Sequence, residues 1–300
     1  MKLLFVFSNH PAGVEFFRGI YKEKDKIPAS ITTGTTSAVI ERLFLEDGIE
    51  AQRFDTEEQL VEFIRDSKPH VVMVDGAVNA TCHRVTETAK QLGLITVGML
   101  DFFGGYRKRF AVEPDYIIVP NEYIRQEMLQ EGFQEEKLLP FGNPFFEEML
   151  TYTPVFRTEF EKYIEKGKKN ILFVSQCFKE DGYGITQEEI FAKYILSRAD
   201  SNTNIIVKPH PREDASWVSK YPVKVFSEAK NSYVYDFINY CDLVVGVNST
   251  LLYVCYIRGI PFEPVKVEGL LEIDYTNPLI KPYRQPVEKI IKFLQKVLEK

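Results

Sequence analysis

The sequence predicts an α/β protein built as two Rossmann-like domains facing a cleft. Three observations carry that expectation. Short apolar runs alternate with helix-periodic segments along the whole chain, the signature of βα units and parallel sheets. The runs are continuous rather than alternating with polar residues, as strands covered on both faces require. A charged stretch over 153–170 interrupts the alternation, which then begins afresh, and 300 residues exceed what one core usually fills.

The elements follow in order. The first half offers strands at 2–8 (KLLFVFS), 29–34, 70–76 (HVVMVDG), 94–100, 115–120 and 137–142. Between them, Leu60, Phe63 and Ile64 share one face of a helix over 56–67. A helix over 121–133 takes Asn121 as its N-cap and Gly132 as its stop. The stretch 153–170 is helical in pattern and ends in lysine- and glycine-rich residues suited to a hinge. The second half predicts strands at 171–176, 204–209, 223–227, 242–247 and 261–267, with helices over 186–198, 214–220, 232–240 and 250–258. A last amphipathic helix over 285–300, with Ile290, Ile291, Phe293, Leu294 and Val297, is expected to pack back on the N-terminal domain. The expected domains are 1–152 and 153–284, followed by the helix 285–300.

Composition excludes several classes. Hydrophobic content of 45% with 27% charge describes a globular chain, and a net charge of −6 argues against a nucleic-acid binder. The start is interrupted too early for a signal peptide, and no run approaches the roughly 20 apolar residues of a membrane span. Cys82, Cys177, Cys241 and Cys255 show no CxxC spacing, which suits a reducing cytoplasm and gives no zinc site. His10, His70 and His83 are too scattered for a metal cluster. Neither the G-x-G-x-x-G fingerprint nor a P-loop follows an opening strand, so a dehydrogenase or P-loop enzyme is not expected.

In open parallel sheets, ligands gather beyond the carboxyl ends of the strands. Three polar clusters fall at such exits in the second half: Glu180-Asp181-Gly182, Lys208 with His210-Pro211-Arg212, and Asn248-Ser249-Thr250. Singly, each has a plain structural reading as a turn, a loop or a helix cap. Together they share a chemistry. A helix start with free amides and hydroxyls receives an anion. A histidine that titrates near neutrality hydrogen-bonds or protonates a phosphate, and Lys208 and Arg212 add charge. A carboxylate opposite can take a proton from a hydroxyl nucleophile.

An acidic pair before glycine, an HP dipeptide and a Ser/Thr pair, in that order, resemble bacterial sialyltransferases of the GT-B fold, including lipooligosaccharide and polysialic acid types. The resemblance implies that Asp181 is the base for the acceptor hydroxyl and that His210 contacts the phosphate of CMP-sialic acid. It also implies that Ser249 and Thr250 hold that phosphate, with Gly182, Lys208, Pro211, Arg212 and Asn248 lining the nucleotide site. The family works without a bound divalent metal or other cofactor, and no Asp-x-Asp motif occurs. "KPHP" is also similar to Kdo-type capsule transferases and CDP-glycerol phosphotransferases. The first half, with "LLPFGNP", looks like UDP-N-acetylglucosamine 2-epimerases, so a UDP-sugar transferase or epimerase-like enzyme is the alternative. UDP-sugar enzymes of this fold carry a ribose-gripping glutamate where this chain has Val254, which favours the CMP donor.

The acceptor is expected on the first half, at Asn9 and His10, at Asp75, and in the loop holding Asp101, Tyr106, Arg107 and Arg109. Asp101 rivals Asp181 as the base. Alternatively that loop is ordinary surface, with Phe102 and Phe103 packed as core. The expected partners are a nucleotide-sugar donor and a glycan acceptor, in the cytoplasm. The lysine-rich final helix adds an expectation of peripheral attachment to an anionic inner membrane.

Overall fold

The computed structural model describes residues 2–228 and 230–299. The chain divides into two units, Met1–Glu148 with Thr276–Lys300, and Met149–Tyr275. Each is organised around one parallel sheet.

The first unit begins β1 (Leu3–Phe7), α1 (Pro11–Tyr21), β2 (Ser30–Thr35), α2 (Ala38–Glu46), β3 (Ala51–Arg53) and α3 (Glu57–Ser67). It continues β4 (Val71–Asp75), α4 (Ala80–Gln91), β5 (Ile95–Met99), α5 (Tyr106–Arg109), β6 (Tyr116–Ile118), α6 (Glu122–Gln130), β7 (Leu138–Leu139) and α7 (Pro144–Leu150). The strand order is β3-β2-β1-β4-β5-β6-β7 and every pairing is parallel. Leu4, Val6, Val71, Met73, Val97 and Met99 face one core; Phe5, Phe7, Val72 and Val74 face another on the opposite side. That double covering is why these strands read as unbroken apolar runs. Thr56, Asn79 and Asn121 each cap a helix by accepting a backbone N–H, and Gly132 turns left-handed after α6.

The second unit holds β8 (Lys169–Val174), α8 (Gln187–Ile190), β9 (Thr203–Lys208), β10 (Lys224–Val225), α9 (Val234–Phe237), β11 (Leu243–Gly246), α10 (Thr250–Arg258) and β12 (Phe262–Pro264). Its order is β10-β9-β8-β11-β12, again all parallel. The exits of β9, β8 and β11 are therefore neighbours on one edge. The final helix, α11 (Pro286–Leu298), belongs to the first unit. Its Ile290, Ile291, Leu294, Val297 and Leu298 join the core of β1, β4 and β5.

Several elements differ from their sequence expectation. Residues 153–170 form one short 3-10 segment, Thr158–Tyr163, rather than a long helix. The residues before it are held by buried Asp236, which accepts from the Val155 backbone N–H at 2.8 Å and from the Arg157 side chain through Nε at 2.9 Å. The helix expected over 186–198 starts in a Thr186–Glu189 capping box but passes through a π segment, Phe191–Ile195. The helix expected over 214–220 is a 3-10 segment, Ala215–Lys220. The domain limits also move from those expected. Tyr283 N–H donates to Pro120 C=O at 3.0 Å and Asn121 Nδ2 to Ile280 C=O at 3.1 Å, so 276–284 packs with the first unit. Tyr152 hydroxyl donates to Asp236 at 2.6 Å, which holds the preceding residues to the second.

Candidate functional site

On the second sheet, three exit loops are cross-linked by side chains. From β8, the chain turns over Cys177–Tyr183, closed by Asp181 N–H to Cys177 C=O at 2.9 Å and Gly182 N–H to Lys179 C=O at 3.1 Å. Gly182 has φ +80°, which glycine adopts without strain, so the turn reading of Asp181-Gly182 holds. From β9, Arg212 reaches back and pairs with Asp181, Nη1 to Oδ1 at 3.1 Å and Nη2 to Oδ2 at 3.3 Å. From β11, Asn248 exchanges two bonds with Gln176: Gln176 Nε2 donates to Oδ1 at 2.7 Å, and Asn248 N–H to Oε1 at 3.2 Å. Asp181, His210 and Asn248 thus stand on loops tied to one another.

The details refine each role. The Asp181 carboxylate is committed to Arg212, so neither group faces solvent alone. His210 Nδ1 accepts from Arg212 N–H at 3.2 Å, which leaves Nε2 to carry the proton of the neutral ring. Lys208 Nζ donates to Pro209 C=O at 3.2 Å, and Pro211 lies exposed between the histidine and the arginine. Ser249 is the N-cap of α10, its Oγ accepting from Leu251 N–H at 3.2 Å, and Thr250 is the first helical residue. Glu180 accepts from Gln187 Nε2 at 2.6 Å and from Asp214 N–H at 3.1 Å, so it ties the acidic turn to the next loop. Val254 is fully buried in α10, so its side chain is core.

Sequence reading missed four residues here. Ser175 and Gln176 sit in the strand exit, where they resembled ordinary strand residues. Cys177 accepts from Arg212 Nη2 at 3.0 Å, and burial pushes its thiol up to about 12. Glu213 accepts from His210 N–H at 2.8 Å, Ser175 Oγ at 2.9 Å and Trp217 Nε1 at 3.1 Å. A carboxylate one residue beyond an HP-R turn was the available signal.

At the exits of the first sheet the expected acceptor residues separate. Asn9 Oδ1 accepts from Thr35 Oγ1 at 2.8 Å and Thr36 N–H at 2.9 Å, pinning the β1 exit to the β2 exit. His10 caps α1, with Nδ1 accepting from Ala12 N–H at 3.3 Å. Asp75 corrects an expectation: it is 4% exposed and spent on internal donors, so it presents nothing to an acceptor. Those donors are Ser8 Oγ at 2.6 Å, the N–H groups of Asn9, His10 and Ala77 at 2.7, 3.1 and 3.2 Å, and Cys82 Sγ at 3.1 Å. Asp101 pairs with Arg109 at 2.7 Å, and Arg109 also donates to the carbonyls of Gly76 and Gly104, so it fastens two exit loops together. Arg107 lies apart from that pair. It stacks on Phe133 at 3.8 Å and donates to Glu131 C=O and Glu113, away from Asp101. Phe102 and Phe103 are buried, as the core reading of that loop had them.

Comparison with known proteins adds three findings. The family model described as alpha-2,8-polysialyltransferase (POLYST) matches residues 107–221, which take in the acidic turn and the histidine turn. The uncharacterized protein MJ1060 of Methanocaldococcus jannaschii is 28% identical over 156 residues, 49% of this chain. The match spans a quarter of that protein's length (25%). Among solved structures, the UDP-GlcNAc 2-epimerase of Neisseria meningitidis bound to UDP-GlcNAc has a TM-score of 0.66 at 15% identity, covering 88% of this chain and 82% of that one. S. aureus MnaA with UDP has a TM-score of 0.69 at 14% identity, covering 89% and 80%. The glycosyltransferase of kitacinnamycin has a TM-score of 0.52 at 12% identity, covering 99% and 94%. Identities this low speak to fold. The chain has the two-sheet α/β architecture of GT-B type that these epimerases and this glycosyltransferase share, and its middle third is similar to polysialyltransferases.

Proposed function

We propose that this chain is an inverting, metal-independent glycosyltransferase that moves an acidic, sialic-acid-like sugar from a CMP-activated donor to a glycan hydroxyl in surface polysaccharide or glycolipid synthesis. One observation carries the reading: the acidic turn, the histidine turn and the α10 start are cross-linked at neighbouring exits of one parallel sheet. In such sheets that edge is where ligands sit. The match of a polysialyltransferase model over two of those turns supports it.

In this mechanism the donor phosphate meets the α10 start and His210 Nε2. A phosphate also competes for the Arg212 guanidinium, and so releases Asp181. The freed carboxylate accepts the proton of the acceptor hydroxyl as its oxygen bonds to the anomeric carbon. The bond from that carbon to the phosphate oxygen breaks, and CMP departs with the electron pair. Positioning and charge stabilisation supply most of the rate, because the nucleotide is already a good leaving group.

The structural neighbours favour one alternative, a UDP-sugar transferase or epimerase-like enzyme on the same fold. Thermal shift with CMP, CDP, UDP and GDP separates the two, since a ligand that binds the folded state raises its melting point. Stabilisation by CMP above UDP, with transfer from CMP-sialic acid to a glycan, is expected; preference for UDP with no such transfer overturns the CMP reading. The place of action we propose is the cytoplasmic side of a membrane, held peripherally through the lysines of α11. No helix among the described residues is long and apolar enough to cross a membrane.

A further inference from the structure

Glu213 is a half-buried carboxylate for which the mechanism above has no use. Its surroundings are unusually one-sided. Oε2 accepts from His210 N–H at 2.8 Å, while Oε1 accepts from Ser175 Oγ at 2.9 Å and Trp217 Nε1 at 3.1 Å. Its own N–H donates to His210 C=O at 3.1 Å, so residues 210 and 213 bond to each other twice and close the turn. Inside that turn, Arg212 N–H reaches His210 Nδ1 at 3.2 Å and fixes the ring. Ser175 and Trp217 are 2% and 7% exposed, and they anchor the far side of the carboxylate to the β8 exit and to the following 3-10 segment.

We infer that Glu213 is a positioning residue of the nucleotide site, holding the histidine turn at a fixed place against the exit of β8. This rests on the proposed nucleotide reading for its consequence, but not for its geometry. The chemistry demands a carboxylate. Backbone N–H and indole N–H can only donate, and an ionised carboxylate is the side chain with acceptor capacity on both oxygens. Glutamine has the same shape but one acceptor oxygen. In Glu213→Gln the amide NH2 must therefore face either the His210 N–H or the Trp217 indole, donor against donor. Leaving such a donor unmet is the costly event, more than losing one bond of average strength. Burial pushes the Glu213 carboxyl above the usual carboxylate range, and the bonds donated by His210, Ser175 and Trp217 oppose that shift only in part.

The test uses a probe built into the chain, because Trp217 is its only tryptophan and gives a single indole N–H signal. In Glu213→Gln the indole signal should shift, the His210 amide should exchange faster with solvent, and CMP should bind roughly tenfold more weakly. A purely structural role would lower the melting point while leaving CMP affinity of the folded protein unchanged. Folded Glu213→Gln with wild-type His210 exchange and wild-type CMP affinity overturns the inference, as does faster exchange without any loss of affinity. Should Glu213→Gln not fold, Ser175→Ala decides: it removes one anchor of Oε1, so faster His210 exchange and weaker CMP binding are expected, and wild-type values overturn it. If the wild-type protein binds neither CMP nor UDP, the nucleotide reading fails by itself. The amide-exchange result then still decides whether Glu213 holds His210.

Discussion

Asp181 and Arg212 show how one contact changes what a residue can be expected to do. The sequence leads one to expect Asp181, with Asp101 as its rival, to act as a base and Arg212 to meet the phosphate; in the structure Asp181 and Arg212 pair with each other. Asp181→Asn should therefore reduce transfer by roughly 100-fold or more, since general base catalysis is typically worth that much. It should leave CMP binding intact or slightly tighter, because the competitor for Arg212 is weakened. Single-turnover rates and calorimetric titration with CMP check the two halves. His210→Ala should damage both, and full turnover in either variant would remove the assignment. The Cys177 thiol, raised to about 12 by burial, should resist iodoacetamide in the folded protein at about pH 8, where little thiolate forms. Intact-mass measurement before and after unfolding reads this directly.

Elements owe their placement to small residues and caps at their ends. Gly13 in α1 is such a point: a Cβ there would lie 2.3 Å from Ser8 Oγ and 2.7 Å from Asp75 Cβ. Those two atoms belong to the network that pins the β1 exit, so they cannot easily give way. Gly13→Ala should lower stability by about 1–3 kcal/mol, measured by urea unfolding, through overpacking rather than through backbone strain. At α10, Ser249→Ala should cost about 1 kcal/mol as a lost N-cap. If the phosphate also uses that helix start, CMP affinity falls in the same variant, whereas an unchanged affinity would mark Ser249 as a cap alone.

At the scale of the molecule, each unit has its own core and its own exit edge, and α11 crosses the sequence to complete the first. Leu294 is fully buried there, among Ile290, Ile291 and Val297. Leu294→Ala should destabilise by about 2–5 kcal/mol through the cavity it leaves. If the proposed nucleotide site lies in the second unit, nucleotide affinity should stay unchanged in the folded variant. A large loss of affinity would show that the nucleotide site needs more than its own sheet.

The strands were legible because both-face burial leaves unbroken apolar runs, and the helix limits at Asn121 and Gly132 because caps have few chemical solutions. The three polar clusters at the second sheet's exits were legible for the same reason: βα alternation alone puts them on one edge. What the tertiary structure decided is who meets whom. Asp75 and Arg107 carry the same charges as Asp101 and Arg109, yet burial takes the first out of reach and α6 draws the second away. Glu213 and the 3-10 turn at 158–163 depend on partners up to about 80 positions distant, Ser175 for the one and Asp236 for the other. Periodicity and caps are local and so are written in the chain; the spending of a charge depends on neighbours that only folding supplies.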